Sequence, residues 1–171
     1  GGSDGAFSYA TLIADAAGNF YGTTNGGDCC NDYGTIFKLA PDGTETVLYA
    51  FTGGGDGRYP DAGLIADSEG NLYGTTEEGG STGCGGYRWG TVFKLTRAGR
   101  ESVLYDCKGW RDGGSPSASL VEDVAGNFYG TTVEGGHSSN CDGFGCGTVF
   151  KISPDGTEKI LYSFTGGSDG S

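Results

Sequence analysis

At 171 residues and a formal net charge of −12, the chain is too acidic to seat on a nucleic-acid backbone or an anionic membrane surface, which both call for basic patches. Its 37 glycines against 4 prolines, set between Tyr, Phe, Val and Thr runs, favour tight turns between many short strands over a collagen-like or disordered chain. No apolar run approaches the length of a membrane span, so membrane insertion is not expected, and no secretion signal opens the sequence.

Along the chain one phrase recurs three times. Its first element is a short apolar run at 12–14, 64–66 and 120–121, closed by Asp15, Asp67 or Asp123 and a Gly-Asn turn. The second is (Phe/Leu)-Tyr-Gly-Thr-Thr at 20–24, 72–76 and 128–132. The third is Gly-Thr-(Ile/Val)-Phe-Lys-(Leu/Ile) at 34–39, 90–95 and 147–152. A tight turn, Pro-Asp-Gly at 41–43 and 154–156 and Arg-Ala-Gly at 97–99, leads into the fourth, (Val/Ile)-Leu-Tyr at 47–49, 103–105 and 160–162. Aromatic and β-branched residues between turn glycines predict four strands per unit at hairpin spacing. No stretch carries an amphipathic helical period.

The units are 1–52, 53–108 and 109–165, with 166–171 opening a further copy. Successive starts lie 52, 56 and 57 residues apart, and the whole difference falls between strands two and three: Thr24 to Gly34 is 10 positions, Thr76 to Gly90 is 14, and Thr132 to Gly147 is 15. One loop absorbs every insertion, as in a repeat array whose insertions are confined to one face. Both ends fall at the same phase, which suggests an excerpt from a longer array.

Val47, Tyr49 and Phe51 alternate with Leu48 and Ala50, so strand four is apolar on both sides and sheets are expected to stack face to face. Gly22, Gly74 and Gly130 inside strand two fit close approach of a neighbouring backbone, or a bulge. The expected fold is an all-β, β-propeller-like array of three four-stranded antiparallel blades, with a β-solenoid as the alternative. The phrase D-x-x-G-N-(F/L)-Y-G-T-T followed by G-T-(V/I)-F-K-(L/I)-x-x-x-G-x-E resembles the GloVer-type tandem repeat of exported bacterial proteins with assorted C-terminal anchors, and more loosely NHL-type propeller blades. That resemblance covers almost the whole chain and implies an extracellular or cell-surface module. The cysteines in the variable loop depart from the pattern.

Three blades do not close a ring, since propellers have about four to eight. Exposed end faces then favour self-association: two chains in one ring, a longer parent closing on itself, or continuation into a filament. Six cysteines in an acidic, Gly-rich chain suggest an oxidising compartment. Cys29, Cys30, Cys84, Cys141 and Cys146 lie in the variable loop, and Cys107 replaces the aromatic of Phe51 and Phe164. The end of strand four should lie beside the start of strand three, so a Cys84–Cys107 bridge is expected, with Cys141–Cys146 closing a small ring. Cys29 and Cys30 pair with each other or between chains. A zinc site is disfavoured because no paired C-x-x-C occurs and only His137 could add a ligand.

Asp4, Asp56, Asp112 and Asp169 recur in Gly-x-x-Asp-Gly between units. They read as turn residues, with calcium as the sharper alternative; no other cofactor is implied. Asp15, Asp67 and Asp123 are read as organising the turn to Gly-Asn rather than forming a carboxylate ring. His137 beside Ser138 and Ser139 lacks a nucleophile motif. Tyr87, Trp89 and Trp110 are loop aromatics that either pack under the long loop of unit two or stack on glycans. No catalytic constellation emerges. The expectation is a non-enzymatic extracellular structural or adhesive module that assembles end to end into a fibre or ring. A glycan-binding propeller is the alternative.

Overall fold

The computed structural model of the chain describes residues 5–26, 32–81, 89–110, 112–138 and 141–169. They form three four-stranded antiparallel sheets, each lying within one sequence unit. Blade 1 is β1 (Ile13–Ala14), β2 (Phe20–Thr24), β3 (Thr35–Leu39) and β4 (Glu45–Ala50). Blade 2 is β5 (Ile65–Ala66), β6 (Leu72–Thr76), β7 (Thr91–Leu95) and β8 (Glu101–Asp106). Blade 3 is β9 (Val121–Glu122), β10 (Phe128–Thr132), β11 (Thr148–Ile152) and β12 (Glu158–Ser163). In each sheet the strands pair in chain order, the up-and-down arrangement of a propeller blade. The 1–2 and 3–4 turns therefore share one face of the array. The 2–3 loops and the linkers share the other.

Register repeats from blade to blade. Thr24 opposes Thr35, Thr76 opposes Thr91 and Thr132 opposes Thr148, and each buried pair joins its hydroxyls at 2.8–2.9 Å. This is why the phrase needs a threonine at both places: a buried hydroxyl without a partner is costly. The register shifts at Ile36/Phe37, Val92/Phe93 and Val149/Phe150, leaving Leu48, Leu104 and Leu161 as the extra residue of a bulge. Strict alternation thus fails in strand four. The bulge sends Leu48 and Tyr49, like Leu104 and Tyr105, toward the same inter-blade core.

The strand-two glycines have a different cause from the expected backbone approach. A Cβ on Gly74 would lie 2.7 Å from Phe93 Cζ and 3.1 Å from Leu64 Cδ2, and one on Gly130 would lie 2.4 Å from Phe150 Cζ. The ring from β7 or β11 fills the space a side chain would take.

The core lies between blades. Ile36 and Phe51 of blade 1 pack with Leu64, Leu72, Phe93 and Leu95 of blade 2. Tyr73 and Val92 of blade 2 pack with Leu120, Phe128, Phe150 and Ile152 of blade 3. Ring pairs cross both joints: Phe51 meets Phe93 edge-on at 5.2 Å, and Tyr73 meets Phe128 at 4.5 Å. Burying such side chains contributes about 1.5–3 kcal/mol each, so a blade is held by its neighbour more than by itself. Polar bonds also cross: Thr23 Oγ1 donates to the Ala62 carbonyl at 3.2 Å, and Asn25 Nδ2 donates to Asp61 Oδ1.

Candidate functional site

On the turn face each strand-one aspartate ties a knot. Asp15 accepts Ala17 N at 2.9 Å and Asn19 N at 3.0 Å through Oδ1, and Asn19 Nδ2 at 2.7 Å and the Tyr21 hydroxyl at 2.9 Å through Oδ2. Asp67 repeats this with Glu69, Asn71 and Tyr73, and Asp123 with Ala125, Asn127 and Tyr129. The side-chain and backbone bonds from Asn19 hold the Asp15 carboxyl down at about 2. The Asn127 bonds likewise hold Asp123 well below the carboxylate range. The turn role outweighs that of an open carboxylate ring.

The linker aspartates are knotted in the same way, to the preceding blade. Asp56 accepts the Tyr49 hydroxyl at 3.0 Å, Thr52 N at 2.7 Å, Thr52 Oγ1 at 2.6 Å and Gly54 N at 3.2 Å. Asp112 accepts the Tyr105 hydroxyl at 2.6 Å and Lys108 N at 3.2 Å. Asp169 accepts Tyr162, Thr165 and Gly167, and the Thr165 hydroxyl bond leads in holding it at about 2. Donors from the turn and from the preceding tyrosine occupy these carboxylates. Among the described residues no cluster of three or more His, Cys, Asp or Glu could hold a metal, and Asp4 lies outside them. The constant Tyr-to-Asp spacing of 7 was present in the sequence as the signal for this knot.

A second carboxyl faces each internal knot. Glu101, at the start of β8, feels the charge of Asp56 in the preceding linker; burial first, then that charge, pushes it up to about 7. Glu158, at the start of β12, lies against Asp112, Lys108 and Tyr105 of blade 2 and is likewise pushed up, chiefly by burial. One carboxyl oxygen of each, Glu101 Oε1 and Glu158 Oε1, is buried with no hydrogen-bond partner among the described residues. Their counterpart on blade 1, Glu45, is exposed.

The loop face holds most of the remaining candidates. Trp89 is buried, its ring over Gly109 and Gly114, as the Tyr33 ring lies over Gly53. It packs the linker rather than presenting a binding surface. Trp110 is 68% exposed and adopts a left-handed backbone (φ 52°), whereas Tyr87 lies outside the described residues. Cys141 and Cys146 form the expected disulfide, spanning a 3₁₀ turn at Cys141–Gly143. Cys107 is a buried free thiol, pushed up in pKa by burial, and the other cysteines, Cys29, Cys30 and Cys84, fall outside the described residues. The expected Cys84–Cys107 tie falls on Cys84 and so outside the described residues; beside Cys107, Asp106 accepts Ser81 N at 2.8 Å and the Ser81 hydroxyl. His137 is exposed, Ser138 Oγ donates to the Thr165 carbonyl at 3.0 Å, and Ser139 is outside the described residues.

The profile of the Gloeobacter/Verrucomicrobia repeat matches residues 1–171. The chain belongs to this family. No curated protein matches it. Among solved structures it is similar to an X-ray structure of a protein provisionally assigned as a gluconolactonase, with a TM-score of 0.49 at 17% identity over 90% of this chain and 47% of the other. It spans about half the length of that structure.

The two outer faces of this Gloeobacter/Verrucomicrobia repeat array carry the same residues that its internal joints bury. On blade 1, Leu12 is 46% and Phe20 41% exposed, whereas the equivalent Leu64 and Leu72 are 2% and 5% exposed. On blade 3, Leu161 and Tyr162 are 46% and 47% exposed, and Val121 and Thr131 are also open. Among the described residues no helix is long and apolar enough to cross a membrane.

Proposed function

We propose that this chain is a non-enzymatic structural or adhesive module that works outside the cell and assembles end to end, into a fibre or a closed ring. One observation carries the reading. The recurring polar residues are occupied within the blades and their linkers, while the exposed residues on blades 1 and 3 repeat those that the internal joints bury. Contiguous exposed apolar faces mark association surfaces. The Cys141–Cys146 disulfide and the bacterial repeat family support an oxidising, extracellular or cell-surface setting. The recurring aspartates accept several donors each, and the sole histidine, His137, stands exposed on a loop.

Size-exclusion chromatography with light scattering, followed by electron microscopy, tests this. Concentration-dependent oligomers are expected, and a monomer at every concentration overturns the assembly reading. The exposed Trp110 favours a second reading, in which the loop face stacks on glycans. Titration with oligosaccharides should then show binding that Trp110→Ala removes.

A further inference from the structure

On the turn face the two internal joints open equivalent clefts that differ in charge. Between blades 1 and 2 the cleft holds about 340 Å³ among Tyr21, Lys38, Leu48, Leu72, Thr96 and Arg97. Between blades 2 and 3 it holds about 370 Å³ among the matching Tyr73, Lys94, Leu104, Phe128, Ser153 and Pro154. Both fall in the range of small-molecule sites, about 300–1,000 Å³.

In the second cleft the cation is engaged and the turn is filled. Lys94 Nζ lies over the Tyr73 ring at 5.2 Å from its centroid, as Lys151 lies over Tyr129 at 6.0 Å. Pro154 Cγ stands 3.5 Å from where a Cβ on Gly126 would be. The first cleft departs at both places. Arg97 takes the position of the proline, its Cδ 3.7 Å from the corresponding point on Gly70, so its guanidinium reaches past where a proline ring ends. Lys38 opposes Tyr21 in the ladder, yet among the described residues no cation stands over the Tyr21 ring. Neither the Lys38 ammonium nor the Arg97 guanidinium has a hydrogen bond or ion pair among those residues. The turn itself does not call for the arginine, since Pro-Asp-Gly serves it in the other two blades. In a chain of net charge −12, two unpaired cations lining one cleft point to an anionic ligand.

The rest of the wall narrows its chemistry. The carboxylates nearby are Asp15, Asp67 and Glu69. The first two are filled by donors of their own turns, so they offer a ligand little. Glu69 accepts only Asn71 Nδ2, at 3.3 Å, among the described residues, and keeps lone pairs for hydroxyl donors. The Tyr21 ring and Leu48 supply an apolar wall on which a sugar ring can lay its C–H face. A carboxylate, several hydroxyls and a flat apolar face occur together in an acidic sugar.

We propose that the turn-face cleft between blades 1 and 2 binds a uronic-acid unit of an acidic polysaccharide. Arg97 forks the sugar carboxylate and Lys38 adds a point charge, the division of labour natural to these two side chains. Tyr21 backs the ring, and Glu69 accepts its hydroxyls. The site lies on the face opposite Trp110 and depends neither on the loop-face reading nor on assembly.

Isothermal titration calorimetry with trigalacturonic acid, its methyl ester and glutarate tests this. The proteins are wild type, Arg97→Gln, Lys38→Gln, Arg100→Gln and Trp110→Ala, with folding checked by circular dichroism. Wild type should bind the acid about tenfold or more tighter than the ester or glutarate, and Arg97→Gln and Lys38→Gln should each weaken it about tenfold, as expected when a hydrogen bond to a charged group is lost. Arg100→Gln removes the same charge from the same hairpin outside the cleft and should bind as wild type does. Wild type that does not bind the acid overturns the proposal. An ester that binds as well as the acid overturns the role of the cations, and glutarate that does so overturns the sugar class. An equal loss in Arg100→Gln reduces binding to general attraction and overturns the site. Binding that survives both cleft variants and fails in Trp110→Ala puts the sugar on the loop face and overturns it as well.

Discussion

Gly74 shows how tightly single residues are specified. With a virtual Cβ only 2.7 Å from Phe93 Cζ, Gly74→Ala should lower stability by about 1–3 kcal/mol, the usual range for overpacking, and Gly74→Ala/Phe93→Leu should recover part of it; urea unfolding measures both. Asp67 lies at the other extreme, near solvent and valued for its donors. Asp67→Ala should cost about 1 kcal/mol, since charge-assisted bonds at an exposed site are screened. The Asp-x-x-Gly-Asn turn was legible in the sequence because its parts are four residues apart. The Tyr49–Asp56 knot was not read there, because a tyrosine hydroxyl acts at the far end of its side chain, at an element other than its own. The strand-two glycines were noticed, but their cause lay in a ring from the adjacent strand, which pattern alone does not place.

At the scale of strands and joints, the residues between blades dominate. Phe93, fully buried at the centre of the first joint, should cost about 3–5 kcal/mol when cut to alanine, and the loss should appear as one cooperative transition because neighbouring repeats stabilise each other. Four strands per unit and their turns followed from the glycine spacing and β-branched runs. The bulge did not, because an extra leucine in an apolar strand leaves no mark in composition. The joints also set the pH profile. Glu101 sits at about 7, above its ordinary value of 4.5, so its contribution is full below pH 4.5 and is lost as the pH rises through 7. Asp15 and Asp169, held at about 2, contribute above about pH 4 and lose that contribution as the pH falls toward 2. Melting temperature should therefore peak in mild acid, and Glu101→Gln should melt above the parent at pH 8 while matching it near pH 4.5.

For the whole molecule, stacking outranks covalent linkage. The Cys141–Cys146 ring spans 5 residues, and closing so short a loop is worth about 2 kcal/mol at most. Cys141→Ser/Cys146→Ser should therefore keep the fold and lose less than Phe93→Ala does, as chemical denaturation of the two variants would show. The base of the 2–3 loop is pinched in blade 2 by the Gly79–Trp89 bridge and in blade 3 by the Gly135–Gly145 bridge, so the loop beyond the pinch is separated from the sheet's register. Doubling a loop adds only about 0.6 kcal/mol of closure entropy. A foreign peptide spliced beyond Gly80 or Gly136 would thus leave the scaffold standing, and an array of such blades would present a row of interchangeable inserts at one-blade intervals.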